Sequence, residues 1–320
     1  MTRGATTKVL ALHLGIIAAL FLAQFALGPY HHTNLARIMV FGTFAVGYNL
    51  LLGYTGLMSL GHAMFFASGL YGAGLTVYYW GFGPVEAFLF AVLATLLFAA
   101  LFGLIAIRTS GVSFLIVTLM FAQAAFLTTL YFNGITRGDE GIVISSQLRP
   151  LEIAGSVLPF SDPSMKYNVA WLLFALAFLA SLALARSPIG RVWIAIRENE
   201  ARTRMLGYDT YRYKLLALVI SATISGAAGA TYALLFSYVG STFASIQYSI
   251  FPLLWTLVGG MGTIVGPLLG TGAMFYLVDI ASDLTESYLF LVGAVLVVLI
   301  LWLPKGIMGG VRDRWAPWLP

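Results

Sequence analysis

The chain has 320 residues, of which 60% are hydrophobic and 9% charged, whereas soluble globular domains carry about 25% charged residues. This composition excludes a soluble protein, and the net charge of +5 is better explained by orientation in a bilayer than by nucleic-acid binding. The sequence also predicts no metal and no cofactor, because it has no cysteine, its four histidines lack zinc-ligand spacing, and it contains no GxxxxGK[ST] loop for ATP.

Charge-poor stretches predict the membrane helices in chain order. A hydrocarbon core of about 30 Å needs about 20 helical residues, so we expect an all-α polytopic membrane protein of about ten transmembrane helices forming one domain over residues 1–320. Windows 38–52, 242–258 and 264–278 are short, which leaves open whether each crosses fully. The ten windows are 9–27, 38–52, 62–79, 87–107, 112–132, 169–185, 215–238, 242–258, 264–278 and 287–303.

Basic residues predict the orientation of these helices. If the N-terminus is cytoplasmic and every window crosses, only Arg37, Arg137, Arg149 and Lys166 of the 17 basic residues lie outside. This distribution obeys the positive-inside rule. Both termini are then expected in the cytoplasm, with residues 133–166 as an irregular external loop and residues 186–214 as a cytoplasmic loop.

The cytoplasmic loop has a helical pattern that Pro188 and Gly190 begin and Gly207 ends. Its apolar residues fall on two opposite faces, which predicts one contact with the membrane base and another with a cytoplasmic partner. The alternative is a basic loop that fixes topology by lying on anionic headgroups. The stripe expected to face the base is Val192, Ala195, Ile196 and Leu206, and the stripe expected to face the partner is Ile194, Ala201 and Met205.

Two charged pairs at i,i+4 spacing are expected to support this helix. Glu198 with Arg202 and Glu200 with Arg204 stand in the favourable order, each pair contributing about 0.2–0.5 kcal/mol. The residues predicted to contact the partner are Ile194, Arg197, Glu198, Ala201, Arg202 and Met205.

Glycine and hydroxyl residues interrupt the hydrophobic pattern between Gly53 and His62, and again at residues 259–262. Interrupted membrane helices commonly line a substrate cavity, whereas rows of small residues four apart predict close helix packing. These rows are Ser221, Ser225 and Gly229, the neighbouring Ala222, Gly226 and Ala230, and Gly262, Gly266 and Gly270. His62 could instead be a satisfied helix-start residue, and Gln123 could bond to a neighbouring helix. The candidate pathway residues are Tyr54, Ser59, His62, Phe65, Thr118 and Gln123.

Four runs of the sequence resemble LivM-type permeases of branched-chain amino acid ABC importers. They are GYTGLMSLGHAMFF from Gly53, GVSFLIVTLMFAQ from Gly111, GRVWIAIRENEARTRMLGYDTYRYKLLALVISATISGAAGA from Gly190, and LPKGIMGG from Leu303. The resemblance extends over most of the chain. It implies a type II importer permease fold with a five-plus-five inverted repeat, in a bacterial inner membrane.

The same resemblance implies partners and a cargo. The expected partners are a LivH-like second permease, two cytoplasmic ATPases (LivG-like and LivF-like) that hydrolyse ATP in place of this non-enzymatic subunit, and a periplasmic binding protein. Residues 186–214 would be the coupling loop that enters an ATPase groove. The implied cargo is a branched-chain or other hydrophobic amino acid.

This chain departs from the family pattern at two positions. Gln123 replaces a common glutamate at the end of the fifth-window motif, and Thr136-Arg137-Gly138-Asp139 replaces a TGG-type turn. Because a neutral amide cannot pair with an ammonium group, a small carboxylate or amide cargo in the same importer class is the alternative. An ion-coupled secondary transporter is a further alternative from a different class, although it would require buried carboxylates that the windows lack.

Overall fold

The chain folds into a predominantly helical membrane protein. The computed structural model describes residues 3–153, 156–160, 162–316 and 318. The helices are α1 (Arg3–Ala26), α2 (Pro29–Asn49), α3 (His62–Trp80), α4 (Pro84–Ala106), α5 (Gly111–Tyr131), α6 (Asn133–Thr136), α7 (Pro163–Arg186), α8 (Pro188–Met205), α9 (Thr210–Phe236), α10 (Ile246–Gly259), α11 (Gly266–Leu284), α12 (Tyr288–Trp302) and α13 (Gly306–Arg314).

Each of the ten predicted windows overlaps a helix, and among the described residues six helical segments are long and apolar enough to cross a membrane. The second window is longer than expected, because a π-helical turn over Leu50–Tyr54 extends α2 into a 25-residue span, Tyr30–Tyr54. The eighth window is short in the structure as well. Its helix α10 has 14 residues, contains Pro252 and covers about 21 Å of the roughly 30 Å core.

The centre of the fold is the packing of α2, α3 and α9, and the span in α2 is 89% buried. The small-residue rows predicted close packing, and the crossing of α3 with α9 confirms it. A Cβ atom added to Gly69 would lie 1.8 Å from the carbonyl oxygen of Gly226, and one added to Gly229 would lie 1.9 Å from that of Phe66. No side chain fits at these positions, so the two backbones touch directly.

Helices α1, α4 and α5 surround this centre, and only 17%, 22% and 17% of their apolar windows are buried. Their exposed residues are mostly large and apolar, including Leu14, Leu97 and Met120. Such faces need lipid or another protein chain around them.

The segment between α6 and α7 corrects the expectation of an irregular loop in an all-α protein. Strand β1 (Ile142–Val143) pairs antiparallel with β4 (Tyr238–Val239), and β2 (Leu151–Ile153) pairs with β3 (Ser156–Leu158). The first pairing ties this segment to the end of α9. The hydrophobic pattern could not predict strands of two or three residues, because their periodicity is too short to detect.

Candidate functional site

Five of the six candidate pathway residues lie in the buried centre of the protein. Tyr54, Ser59, His62, Phe65 and Thr118 are each at most 2% exposed. The break between the π-helical turn and α3 places the first three of them, and Thr118 reaches the break from α5. In this conformation the five side chains are closed off from solvent, so a solute could pass them only if the helices moved.

His62 stands at the start of α3 and joins three elements. One ring nitrogen, Nδ1, lies 3.1 Å from the Ser59 hydroxyl and the other, Nε2, lies 2.8 Å from the Ser221 hydroxyl on α9. The Tyr48 ring packs edge-on against the imidazole at 4.7 Å, and the Tyr48 hydroxyl donates to the Ser59 carbonyl at 2.9 Å. Both ring nitrogens thus have partners, which is the arrangement expected of a satisfied helix-start histidine.

Hydroxyl groups from neighbouring helices hold the rest of the break in place. The backbone amide of Leu60 donates to the Thr118 hydroxyl at 3.2 Å, and that of Ala63 donates to the Ser249 hydroxyl at 3.0 Å. These bonds satisfy backbone groups that the interrupted helix leaves free. The Tyr54 hydroxyl differs, because it is buried with no hydrogen-bond partner among the described residues.

Gln123 lies apart from the other five candidates, on the exposed face of α5. Ile116, Met120 and Leu127 on the same face are 48%, 57% and 53% exposed. Within the described part of the chain Gln123 makes no hydrogen bond to a neighbouring helix. An amide amid apolar residues in a membrane-spanning helix is costly to leave in lipid, which indicates that protein or water covers this face.

The two interrupted segments, which are more than 200 residues apart in the chain, meet at one junction. The Asn49 side chain donates to the Thr263 carbonyl at 2.9 Å and accepts from the Gly262 amide at 3.0 Å. A Cβ atom on Gly53 would lie 2.1 Å from Asn49 Oδ1 and 2.5 Å from the Gly262 nitrogen. The sequence pattern predicted both breaks, but Asn49, the residue that joins them, was missed.

Two arginines, one from α8 and one from α13, bind the same junction. Arg197 of α8 donates to the Gly53 carbonyl, and Arg312 of α13 donates to the Gly262 carbonyl at 3.4 Å. We call the group Asn49, Gly53, Arg197, Gly262 and Arg312 the glycine junction. Because Arg197 directs its guanidinium into the junction, it connects α8 to the interrupted helices.

The helix predicted within residues 186–214 begins and ends as expected, since α8 starts at Pro188 and Gly207 follows its end with φ +90°. The single uninterrupted helix is wrong, because Asn199 has extended backbone angles (φ −161°, ψ 98°). Its side chain accepts from the Arg202 amide at 2.9 Å and so caps a second short helix. The sequence pattern did not single out Trp193, which is fully buried and holds α8 against α9 by donating to the Tyr213 carbonyl at 2.9 Å.

The interruption changes which residues face the membrane base. Val192 and Ile196 are buried, as the first stripe predicted, but Leu206 is 71% exposed. Met205 of the second stripe is 86% exposed and Tyr208 is 44% exposed. We call Met205, Leu206 and Tyr208 the apolar tip. Of the other residues predicted to contact a partner, Arg197, Glu198, Ala201 and Arg202 are exposed and Ile194 is half-buried.

Glu200 links the end of α8, which carries the apolar tip, to the start of α9. Its carboxylate lies 2.8 Å from the buried Lys214 ammonium and 3.2 Å from the Arg204 guanidinium, and it accepts from the Thr210 hydroxyl at 3.0 Å. Burial alone would raise the pKa of Glu200, but Lys214 and these other partners hold that pKa below its ordinary value. The predicted pair of Glu198 and Arg202 does not form, because the backbone between them leaves the helix at Asn199.

Among the described residues, no three His, Cys, Asp or Glu side chains are grouped to hold a metal ion. The site therefore consists of a buried helix break, a glycine junction and an exposed apolar tip. The contacts of His62 with Ser59 and Ser221 are fully buried, so they are not open to a substrate as a catalytic nucleophile and its base would be.

Residues 32–301 match the family described as "Branched-chain amino acid transport system / permease component". The high-affinity branched-chain amino acid transport system permease protein LivM of Salmonella typhimurium is 31% identical over 294 residues, covering 86% of this chain and 69% of the relative. LivM of Escherichia coli K12 matches with the same identity and coverage. LivH of Salmonella typhimurium is 24% identical over 285 residues, covering 83% of this chain and 90% of the relative. No solved structure matches significantly.

The family match extends over most of the chain. Its helices are apolar and are interrupted at two glycine-rich breaks, and Arg197 of α8 contacts one of these breaks. Relatives named as permease proteins cover the same region at up to 31% identity. The chain belongs to the branched-chain amino acid transport permease family and is a transmembrane permease subunit rather than an enzyme.

Proposed function

We propose that this subunit forms half of the passage through which an ATP-driven importer moves branched-chain or other hydrophobic amino acids. The observation that supports the ATP-driven mechanism is the contact of Arg197 with the Gly53 carbonyl. Arg197 belongs to the element that carries the apolar tip, so movement of the tip reaches the interrupted helices through one hydrogen bond. The cargo is inferred from the relatives, whose names specify branched-chain amino acids.

The partners follow from the faces that this chain leaves uncovered. The exposed face of α5 around Gln123 is proposed to meet a LivH-like second permease, with the passage between them. The apolar tip is proposed to enter a groove on one of two ATPases, LivG-like and LivF-like, because a large exposed apolar group in water is typical of a protein contact. A periplasmic binding protein would deliver the cargo at the opposite side.

The candidate pathway residues have different roles in this proposal. Gln123 would face the passage directly, whereas Tyr54, Ser59, His62, Phe65 and Thr118 would form the closed inner wall that rearranges when the coupling loop moves. The hydrogen bonds of His62 to Ser59 and Ser221 would then be among those exchanged. This assigns the break between α2 and α3 as the moving part and the crossing of α3 with α9 as the fixed part.

The proposed topology has ten crossings, a five-plus-five inverted repeat of the type II importer permease fold, and both termini in the cytoplasm of a bacterial inner-membrane protein. It places residues 133–166 outside and residues 186–214 inside. The positive-inside rule supports this orientation, and the short helix α10 with its internal Pro252 is typical of the broken helices of transporters.

Cysteine labelling tests this topology without background, because the chain has no cysteine. A membrane-impermeant maleimide added to intact cells should label Glu140→Cys and leave Ser110→Cys unlabelled, and both positions are exposed. After the membrane is permeabilised, Ser110→Cys should react fully, which controls for accessibility, because Ser110 lies outside the proposed ATPase contact. Labelling of Ser110→Cys in intact cells, with Glu140→Cys protected, would reverse the orientation.

Uptake by the reconstituted importer tests the cargo. Proteoliposomes that contain this subunit, its second permease and both ATPases should accumulate leucine or valine when ATP and the cognate binding protein are supplied. Small carboxylic acids and amides are the comparison, because neutral Gln123 could accept them as readily as a zwitterion. ATP-dependent, saturable uptake restricted to these compounds would replace the amino-acid cargo and retain the permease assignment.

A further inference from the structure

Two cations meet at one aromatic ring where α2, α7 and α9 approach each other. The Arg37 guanidinium carbon lies 5.1 Å from the centroid of the Phe236 ring, and the Lys166 ammonium lies 5.8 Å from the same centroid. Both side chains are half-buried. Arg37 belongs to the predominantly buried span of α2, where a charged residue is rare and commonly functional.

Neither cation has an acidic partner in the described part of the chain, whose ion pairs all join other residues. The Arg37 Nε atom is also buried without a hydrogen-bond partner. Contact with a ring face offsets only part of the cost of removing a cation from water. Two adjacent like charges with an unused donor therefore form a site that an oxyanion would complete.

The side chains one turn deeper are aromatic. The Tyr232 ring lies 4.7 Å from the Phe236 ring and 5.3 Å from the Phe41 ring, and Phe41 follows Arg37 by one turn of α2. Tyr248 lies 4.8 Å from Phe243 on the same wall and is half-buried. A molecule with its anionic end at Arg37 and Lys166 would thus place its other end against aromatic rings.

We propose that Arg37 and Lys166 bind the carboxylate of the cargo, with the apolar side chain of the cargo against Tyr232 and Phe41. This inference rests on the proposed function, because it takes the cargo to be a hydrophobic amino acid arriving from the side on which both cations lie. It also assigns the cations, rather than Gln123, to charge recognition. The phosphate of an outer-leaflet lipid has the same oxyanion chemistry, and the experiment separates the two sources.

The experiment measures leucine uptake into proteoliposomes containing the complete importer and its binding protein. Arg37→Gln and Lys166→Gln should each lower uptake, and the double variant should lower it by about tenfold or more, as expected for a lost charge-assisted contact. ATPase activity stimulated by the binding protein should remain near that of the unchanged complex. Arg149→Gln, which removes an exposed cation on the same side, should have no effect.

Two further measurements distinguish the alternatives. Arg37→Lys should retain most uptake if the charge binds the carboxylate. Equal loss of uptake and of stimulated ATPase activity in Arg37→Lys and Arg37→Gln would mean that the arginine only packs on Phe236, which overturns the proposal. Native mass spectrometry counts the phospholipids retained by the purified complex, and a lipid lost from the double variant without any change in uptake would overturn it in favour of lipid phosphate.

Failure of the proposed cargo is visible separately. If the unchanged complex takes up no leucine, the amino-acid assignment fails and this site fails with it. If the unchanged complex takes up leucine and the double variant does so equally well, the cargo assignment stands and only the carboxylate site is wrong.

Discussion

We expect Met205→Asp to leave a folded permease that no longer retains its ATPase subunits. Met205 is 86% exposed beside Leu206, which is 71% exposed, so the substitution disturbs no contact within the chain. In the proposed complex, however, position 205 lies inside an ATPase groove. An unpaired carboxylate buried there would cost several kcal/mol, and a change of that size at the centre of an interface disrupts most protein contacts.

Copurification of the ATPases with the tagged permease measures this effect, and ATP-dependent uptake measures its consequence. Ser110→Asp is the matched control, because it adds the same carboxylate at an exposed position before α5, which the proposed topology places on the same side of the membrane. The control should assemble and transport normally. If Met205→Asp also retains its ATPases and transports, the apolar tip is not the docking surface.

The sequence predicted the limits of helix α8 but not its interruption at Asn199. Proline and glycine act through their own backbone, so Pro188 and Gly207 indicate a start and an end wherever the loop lies. Asn199 is different, because asparagine can continue a helix or cap a new one. The surrounding fold decides between these, since Lys214 and Thr210 of α9 bind Glu200. Such contacts depend on the tertiary structure and are absent from the local pattern.

The glycine junction was likewise predicted only in part from the sequence. Both breaks could be predicted, because glycine and hydroxyl residues interrupt an apolar pattern locally. Their meeting could not, because it joins Asn49 to Gly262 and Thr263 across more than 200 residues of sequence. One signal was present, since Asn49 is the one amide in the predicted window 38–52 and such residues usually bond across helices. Arg37, which directly precedes that window, is a second polar residue of this kind.

The glycine junction gives the other large prediction, which is that Gly53→Ala abolishes transport. Gly53 is buried in the π-helical turn, and an alanine Cβ atom there would lie 2.1 Å from Asn49 Oδ1 and 2.5 Å from the Gly262 nitrogen. The backbone at position 53 must then move away from the Asn49 side chain and from Gly262. This movement breaks the hydrogen bond from the Gly262 amide to Asn49 and displaces the carbonyl that Arg197 binds. Overpacking of this kind costs about 1–3 kcal/mol or more.

This cost falls where α8, the proposed coupling element, meets the interrupted helices, so transport should decrease more than assembly. We expect Gly53→Ala to copurify with both ATPases but to lose at least about 90% of leucine uptake, a tenfold change that requires about 1.4 kcal/mol. Gly15→Ala in α1 is the matched control, because no heavy atom lies within 4 Å of its added Cβ atom, and it should transport normally.

Asn49→Ala tests the junction without adding an atom, since it leaves the Gly262 amide and the Thr263 carbonyl without their side-chain partner. Normal uptake by both Gly53→Ala and Asn49→Ala would mean that force from the ATPases reaches the passage by another route, and the contact of Arg197 with Gly53 would then be only structural.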